Sequence, residues 1–310
     1  MRTFRWLGIA LLVLVSASLM NAADQASMKV TLLGTGSGPV VRLNRYQTTT
    51  LVEAGGEKLL FDCGRGVLLR MVEAGVPIES VTKVFLTHLH SDHVVDLPDM
   101  LLTPWAGRTA RKVPLEVWGP EGTVDMMDHL QKAFAFDIHI RRDVDEKFSP
   151  EGIKVTSHDV KEGVVYEKNG VKVTAFLVDH GPVKPAYGYR VDYAGRSIAL
   201  SGDTRPSENL VRYSKGVDVL IHEALDPEMF HKIPNAFTPA QAASIIAHHT
   251  TPEQVGEIFT KVGPKLAVLS HTDGSAELLA KVKKAYSGRL EMGDDLMVIE
   301  VGEPVMVKKR

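Results

Sequence analysis

The chain has 310 residues, 44% of them hydrophobic and 24% charged, with a formal net charge of −2. This is an ordinary globular composition, and it excludes the dense positive charge of a general nucleic-acid binder. Cys63 is the only cysteine, which excludes an intrachain disulfide, and beyond the N-terminus no run of roughly 18 uncharged apolar residues exists to span a membrane.

Arg2 and Arg5 lead into an apolar run over residues 6–15, and residues 16–23 are mostly small or polar. That order is the signature of an export signal. Residues 1–22 are expected to be removed, with Ala22 as the first candidate for the cut and Ala23 as the second. Residues 23–310 would then form one domain in the periplasm or outside the cell. An uncleaved membrane anchor is the alternative. Processing would remove two arginines and no acid, taking the charge from −2 to −4 and leaving no stable membrane span.

Residues 29–33, 49–53 and 58–61 read as strands, with Gly55-Gly56 turning the last two into a hairpin. Cys63, at the end of the third run, reads as a small buried residue rather than a nucleophile. A helix is expected over residues 66–74, running to Pro77. Residues 83–86 form a short buried strand, and a histidine cluster follows at once. Residues 103–112 contain Trp105, Arg108, Arg111 and Lys112 and read either as a cationic, aromatic substrate loop or as a solvated surface loop. Asn44, Arg45 and Tyr46 are further candidates to line a cleft. Residues 115–118 read as a strand, and Gly119-Pro120 opens a helix to about residue 133.

The second half repeats this grammar. Residues 154–157, 171–178, 187–192, 197–200, 217–221 and 266–269 read as strands. Helices are expected over residues 239–247 and 252–261, where Thr238 and Thr251 can each cap a helix whose first residue is proline. Two strand-rich halves with helices outside them predict a layered αββα sandwich.

The densest chemical signal is Thr87-His88-Leu89-His90-Ser91-Asp92-His93, which places three imidazoles and a carboxylate within six residues. In an extended segment His88 and His90 point to the same side, and Asp92 and His93 reach a neighbouring position as the chain turns. Nitrogen and oxygen donors of this kind suit zinc and similar divalent cations. Four such donors crowd a single tetrahedral ion, which favours two cations.

His-x-His-x-Asp-His after a short buried strand resembles the signature of the metallo-β-lactamase superfamily. Val178-Asp179-His180 with Tyr187-Gly188-Tyr189-Arg190 resembles a later motif of its ribonuclease Z and arylsulfatase-like branch. Ser201-Gly202-Asp203-Thr204 and Leu269-Ser270-His271 resemble two more. Leu33-Gly34-Thr35-Gly36 and Phe61-Asp62-Cys63-Gly64 are similar to that branch's opening strands. The resemblance runs from about Met28 to Val301. It implies one cation on His88, His90 and His180, a second on Asp92, His93 and His271, and Asp203 bridging them. Zinc is the first expectation for both and manganese the alternative. A water shared by two cations is acidified and becomes a nucleophile near neutral pH, and Asp92 can orient or deprotonate it. Ile221-His222-Glu223-Ala224 and His249-Thr250-Thr251 also resemble the branch. They imply His249 as proton donor to the leaving group, oriented by Glu223.

Bacterial ribonuclease Z carries a tRNA-gripping arm between the Gly-Tyr-Arg and Gly-Asp-Thr segments. Here only 11 residues separate Arg190 from Gly202, and they read as a plain hairpin turning at Ala194-Gly195-Arg196. Together with the acidic charge and the export signal, this argues against a specific nucleic-acid partner. The resulting expectation is a two-metal hydrolase acting on a small anionic ester, either a phosphodiester or an aryl sulfate. The alternatives are a lactone or β-lactam hydrolase and a non-catalytic metal-binding protein. A homodimer is compatible with the sequence.

Overall fold

The computed structural model describes residues 28–232 and 236–309; the expected export signal at residues 1–22 lies outside them. Two sheets dominate. The first orders its eight strands Val305–Lys308, Val298–Val301, Met28–Gly34, Thr49–Ala54, Glu57–Phe61, Lys83–Phe85, Leu115–Gly119 and Val155–Asp159. The second orders seven as Leu290–Met292, Leu266–Ser270, Val219–Glu223, Arg196–Leu200, Val183–Tyr193, Val171–His180 and Gly163–Lys168.

Strand alternation builds the layers. Leu59 and Phe61 join Ile198, Leu200, Val219 and Ile221 in a core between the sheets. The intervening Leu60 turns outward to Leu68, Met71 and Trp105, and Ala199 and Leu220 turn outward to Val255 and Phe259. Each sheet is therefore apolar on both faces, and helices cover the outer ones, giving the expected αββα sandwich. Phe61, Phe85, Trp118 and Tyr189 form a ring cluster with centroids 4.8–5.9 Å apart at the centre.

Topology then sets the site at one edge. Glu57–Phe61, Lys83–Phe85 and Leu115–Gly119 run parallel, as do Arg196–Leu200, Val219–Glu223 and Leu266–Ser270. Val171–His180 is antiparallel to Val183–Tyr193, which is antiparallel to Arg196–Leu200, so His180 ends at the same edge as the parallel strands. The residues after these strands gather beyond their carboxyl ends, where open α/β sheets bind ligands.

Local signals hold where they are strong. Thr238 and Thr251 both form capping boxes, with Gln241 and Gln254, and each helix opens on proline. The hairpin after Tyr193 turns through Ala194 and Gly195 at φ 49° and 75°, the pair of positive angles that a tight two-residue turn requires.

Residues 103–112 correct the expectation of a substrate loop. Leu97–Ala106 is a helix, and Trp105 is fully buried with its indole N–H on the Ser149 carbonyl at 2.8 Å. Arg111 is 1% exposed and donates to the carbonyls of Met100, Leu101 and Gly152 at 2.7–3.1 Å. Burial pushes its pKa down to about 10. It is a structural fastener for a helix end, not a recognition residue.

Candidate metal centre

The segment after Lys83–Phe85 turns into a short helix at Ser91–Val94, which directs Asp92 and His93 inward and buries both. Asp62 and His271 take left-handed backbone angles, φ 60° and 49°, at the ends of their strands. Such angles are unfavourable for non-glycine residues and cluster at functional sites. Gly202 needs no such compromise: at φ 60°, an added Cβ would lie 2.6 Å from the Tyr187 carbonyl oxygen.

Hydrogen bonds fix which nitrogen each ring offers. His93 Nδ1–H donates to Asp62 Oδ2 at 2.8 Å. His88 Nδ1 lies 3.0 Å from the Thr87 hydroxyl, which itself donates to Asp62 Oδ2. His180 Nδ1–H donates to the His248 carbonyl at 2.9 Å. In each ring Nε2 is left as the inward-facing nitrogen. Those atoms converge on Asp203 Oδ2, which lies 3.4 Å from His93, 3.8 Å from His88 and 4.0 Å from His180. Asp203 Oδ1 lies 3.4 Å from His271 Nδ1, and Asp92 Oδ2 lies 3.2 Å from His271 Nε2.

Four donor groups result: two correspond to the expected ligand sets, and two more, His180 with His248 and His249 and Asp203 with His249 and His271, bring His249 to the same cluster. His88, His90, His180 and Asp203 place one atom each within 4.8 Å of one another, and so do Asp92, His93 and His271. Asp203 is central to both, through Oδ2 and Oδ1. His90 Nδ1 and His180 Nε2 are 3.4 Å apart; two nitrogens on one tetrahedral zinc lie about 3.3 Å apart, given bonds of roughly 2.0–2.1 Å. The residues fit cations on a further count: His88 Nε2, His93 Nε2 and Asp203 Oδ1 are buried without a hydrogen-bond partner among the described residues, a condition proteins otherwise avoid.

The electrostatics agree. Burial pushes His88 well down in pKa, and His90 and His180 down, so these rings are neutral donors. Burial pushes Asp92 up, but His271 and His93 outweigh it and hold the carboxyl at about 2. Burial likewise raises Asp203, and His271, His93 and His88 overcome it and hold it well below the usual range. His93 is lowered by burial but held well above its ordinary value by Asp203 and Asp62, so a cation must displace its proton.

Beside this cluster, His249 lies with its ring centroid 5.1 Å from that of His180. Its Nδ1–H donates to Glu223 Oε1 at 2.9 Å, and Glu223 is fixed in turn by the Thr204 N–H at 3.0 Å. Burial lowers the His249 pKa, but Glu223 and Asp203 more than reverse this and raise it to about 9. All eight expected ligand and proton-transfer residues except His90 are at least partly shielded, and the nine residues including Glu223 come together at one strand edge.

Some expectations fail here and some residues are new. Arg45 donates to Thr35, Gly293 and Asp294, and Tyr46 lies under the Arg70 guanidinium at 4.0 Å, so both fasten their loop rather than line the cleft. The loop instead reaches the centre through Gly38, whose N–H is 3.4 Å from His271 Nε2. Asp62, Thr87 and His248 were not singled out by their chemistry. Asp62 sits just past an apolar strand, the same signal that marks His88 and His271. Cys63 is fully buried, and burial together with Asp96 and Asp62 pushes its thiol well up, consistent with an inert side chain.

The sequence matches the family described as Anti-Pycsar protein Apyc1 over residues 28–232. A ribonuclease Z of Mycobacterium sp. (strain KMS) is 37% identical over 288 residues, covering 91% of this chain and 99% of that protein. A ribonuclease Z of Mycobacterium avium (strain 104) is 36% identical, covering 89% and 99%. Among solved structures, the metallo-β-lactamase fold protein YhfI of Bacillus subtilis superposes with a TM-score of 0.69 at 21% identity, covering 88% of this chain and 99% of that one. The short form of human tRNase Z does so with 0.64 at 23%, covering 88% and 99%. These two show the fold. Because 288 aligned residues take in 99% of the first mycobacterial relative, that protein holds no long insertion that this chain lacks. The short hairpin after Arg190 therefore does not separate the chain from proteins of that name.

Proposed function

The chain belongs to the family described as Anti-Pycsar protein Apyc1 and to the ribonuclease Z branch of the metallo-β-lactamase superfamily, and from that premise we propose that it hydrolyses a phosphodiester bond in a small anionic substrate. The observation that carries this is His249, set against Glu223 at 2.9 Å and facing the donor cluster. An ester with a poor leaving group needs a proton donor at that place; an activated lactone needs it far less.

In this reading His88, His90 and His180 would hold one divalent cation and Asp92, His93 and His271 a second, with the Asp203 carboxylate available to both. Zinc is the first choice and manganese the second. Bound there, the cations supply Lewis acidity toward the phosphoryl oxygens and an acidified nucleophile at neutral pH. The chain's own groups do the rest. Asp92, held ionised, accepts a proton from the attacking water. His249 gives a proton from Nε2 to the departing oxygen while Nδ1–H stays on Glu223. Thr204 keeps Glu223 from turning away.

Three features support a small substrate over a structured RNA. The chain is mildly acidic, so nonspecific attraction to a polyanion is weak overall. Two of the four cationic side chains expected near the cleft, Arg45 and Arg111, are spent on structural contacts. The N-terminal segment reads as an export signal, which would separate the protein from precursor tRNA. The test is a panel on metal-loaded protein: bis-p-nitrophenyl phosphate, p-nitrophenyl sulfate, nitrocefin and a precursor tRNA. Turnover is expected on the phosphodiester, with poor and site-unselective cutting of the RNA. Efficient cleavage at the tRNA 3′ boundary at nanomolar enzyme, or turnover of nitrocefin alone, would overturn the reading.

A further inference from the structure

Between the sheets, under the donor cluster, lies a cavity of about 30 Å³, measured as the space that a water's centre can occupy. Thr50, Phe61, Glu223 and Ser270 line it, and it touches His93, Asp203 and His271 from the core side. His88, His90, Asp92 and His180 do not line it, whereas His93, Asp203 and His271 do, so it adjoins the donor cluster.

Strand alternation identifies the side chains that enter it. Ile221 and Val268 face the inter-sheet core; Glu223 and Ser270, two residues further along the same strands, share that face. Both are buried, at 2% and 4% exposure. Glu223 Oε1 already accepts from His249 and from the Thr204 N–H. Glu223 Oε2 and Ser270 Oγ have no hydrogen-bond partner among the described residues. A carboxylate oxygen left alone in the interior is among the costliest exceptions to polar pairing. The cavity is polar and roomy enough to remove it, since one water needs about 10–15 Å³ on this measure and two or more polar partners.

We propose that this cavity is a water-binding site, in which one ordered water bridges Glu223 Oε2 and Ser270 Oγ. The water donates to the carboxylate and exchanges a hydrogen bond with the serine hydroxyl. Glu223 is then held at both oxygens, by Thr204 in front and by the water behind. Ser270 becomes a positioning residue for His249. The site stands on the cavity and its lining; its catalytic consequence rests on His249 being the proton donor.

A crystal structure of the metal-loaded protein, at a resolution that orders internal waters, tests the site without reference to activity. A density peak within hydrogen-bond distance of both Glu223 Oε2 and Ser270 Oγ is expected; well-ordered side chains with no peak between them would overturn it. Ser270→Val fills the cavity and displaces the water. It should lower kcat about tenfold on a phosphodiester with an alkyl leaving group, while KM, metal content and the rate on bis-p-nitrophenyl phosphate stay within about twofold. Should valine disturb the neighbouring His271 and cost metal, Ser270→Ala removes the water's serine partner without filling the cavity, and a smaller loss confined to the alkyl ester is expected. An equal loss on both substrates, or none, contradicts the positioning role. Density at the site together with a His249→Ala variant that keeps wild-type rates on both substrates would keep the site and remove the proposed proton donor.

Discussion

At the scale of single residues, Asp62 does most to set the state of the centre. It accepts from Thr87 N–H, the Thr87 hydroxyl and His93 Nδ1–H, so one buried carboxylate orients His93 directly and His88 through Thr87. Asp62→Ala should therefore weaken metal binding by about 10–100-fold, read by elemental analysis after dialysis against a weak chelator, with secondary structure retained. Wild-type metal retention would contradict this role. His249 calls for a different outcome. His249→Ala should keep its metal and lose roughly 10²–10⁴ in rate on an alkyl phosphodiester, with a much smaller loss on bis-p-nitrophenyl phosphate. The sign of its pH dependence follows from its pKa. A proton donor acts in its charged form, so activity on the poor leaving group falls as pH rises through a value at or below about 9, since bound cations can only lower it. The substitution should abolish that limb, and an unchanged profile would remove His249 from the mechanism. The seven residues expected as ligands, which the fold gathers at one edge, were legible because each follows an apolar strand and four lie in one heptapeptide. Asp62 carries the same strand-end signal, but its role as acceptor for Thr87 and His93 was not legible, because it depends on the parallel pairing of Glu57–Phe61 with Lys83–Phe85, which no local pattern reveals.

At the scale of elements, the long strands and the proline-led helices were readable from period and caps. The short late strands were not: Leu290–Met292, Val298–Val301 and Val305–Lys308 carry too few alternating positions to stand out. Residues 103–112 misled for a physical reason. Arg111 and Trp105 look like recognition chemistry in sequence, but the helix Leu97–Ala106 contains Pro104 and ends without a glycine in the left-handed conformation. Pro104 has no N–H to give the Met100 carbonyl four residues before it, and the buried guanidinium supplies donors to the Met100 and Leu101 carbonyls. Arg111→Met should leave those carbonyls unpaired at a cost of about 1–3 kcal/mol. Thermal unfolding should shift down by several degrees while kcat per folded molecule stays unchanged. A drop in kcat at unchanged stability would restore Arg111 to the substrate side.

At the scale of the whole molecule, both sheets deliver their strand ends to one edge, so the site depends on the complete sandwich rather than on any one motif. Export is part of the same proposal: intact mass of protein from a periplasmic extract should lack about the first 22 residues, and a full-length soluble product would contradict it. The central claim is that two cations on His88, His90, Asp92, His93, His180, Asp203 and His271 drive phosphodiester hydrolysis. It is tested most directly by adding zinc or manganese stepwise to chelator-stripped protein while following bis-p-nitrophenyl phosphate turnover. The rate should climb until two equivalents per chain are bound and then level off. A plateau at one equivalent, or no turnover at any loading, would contradict it.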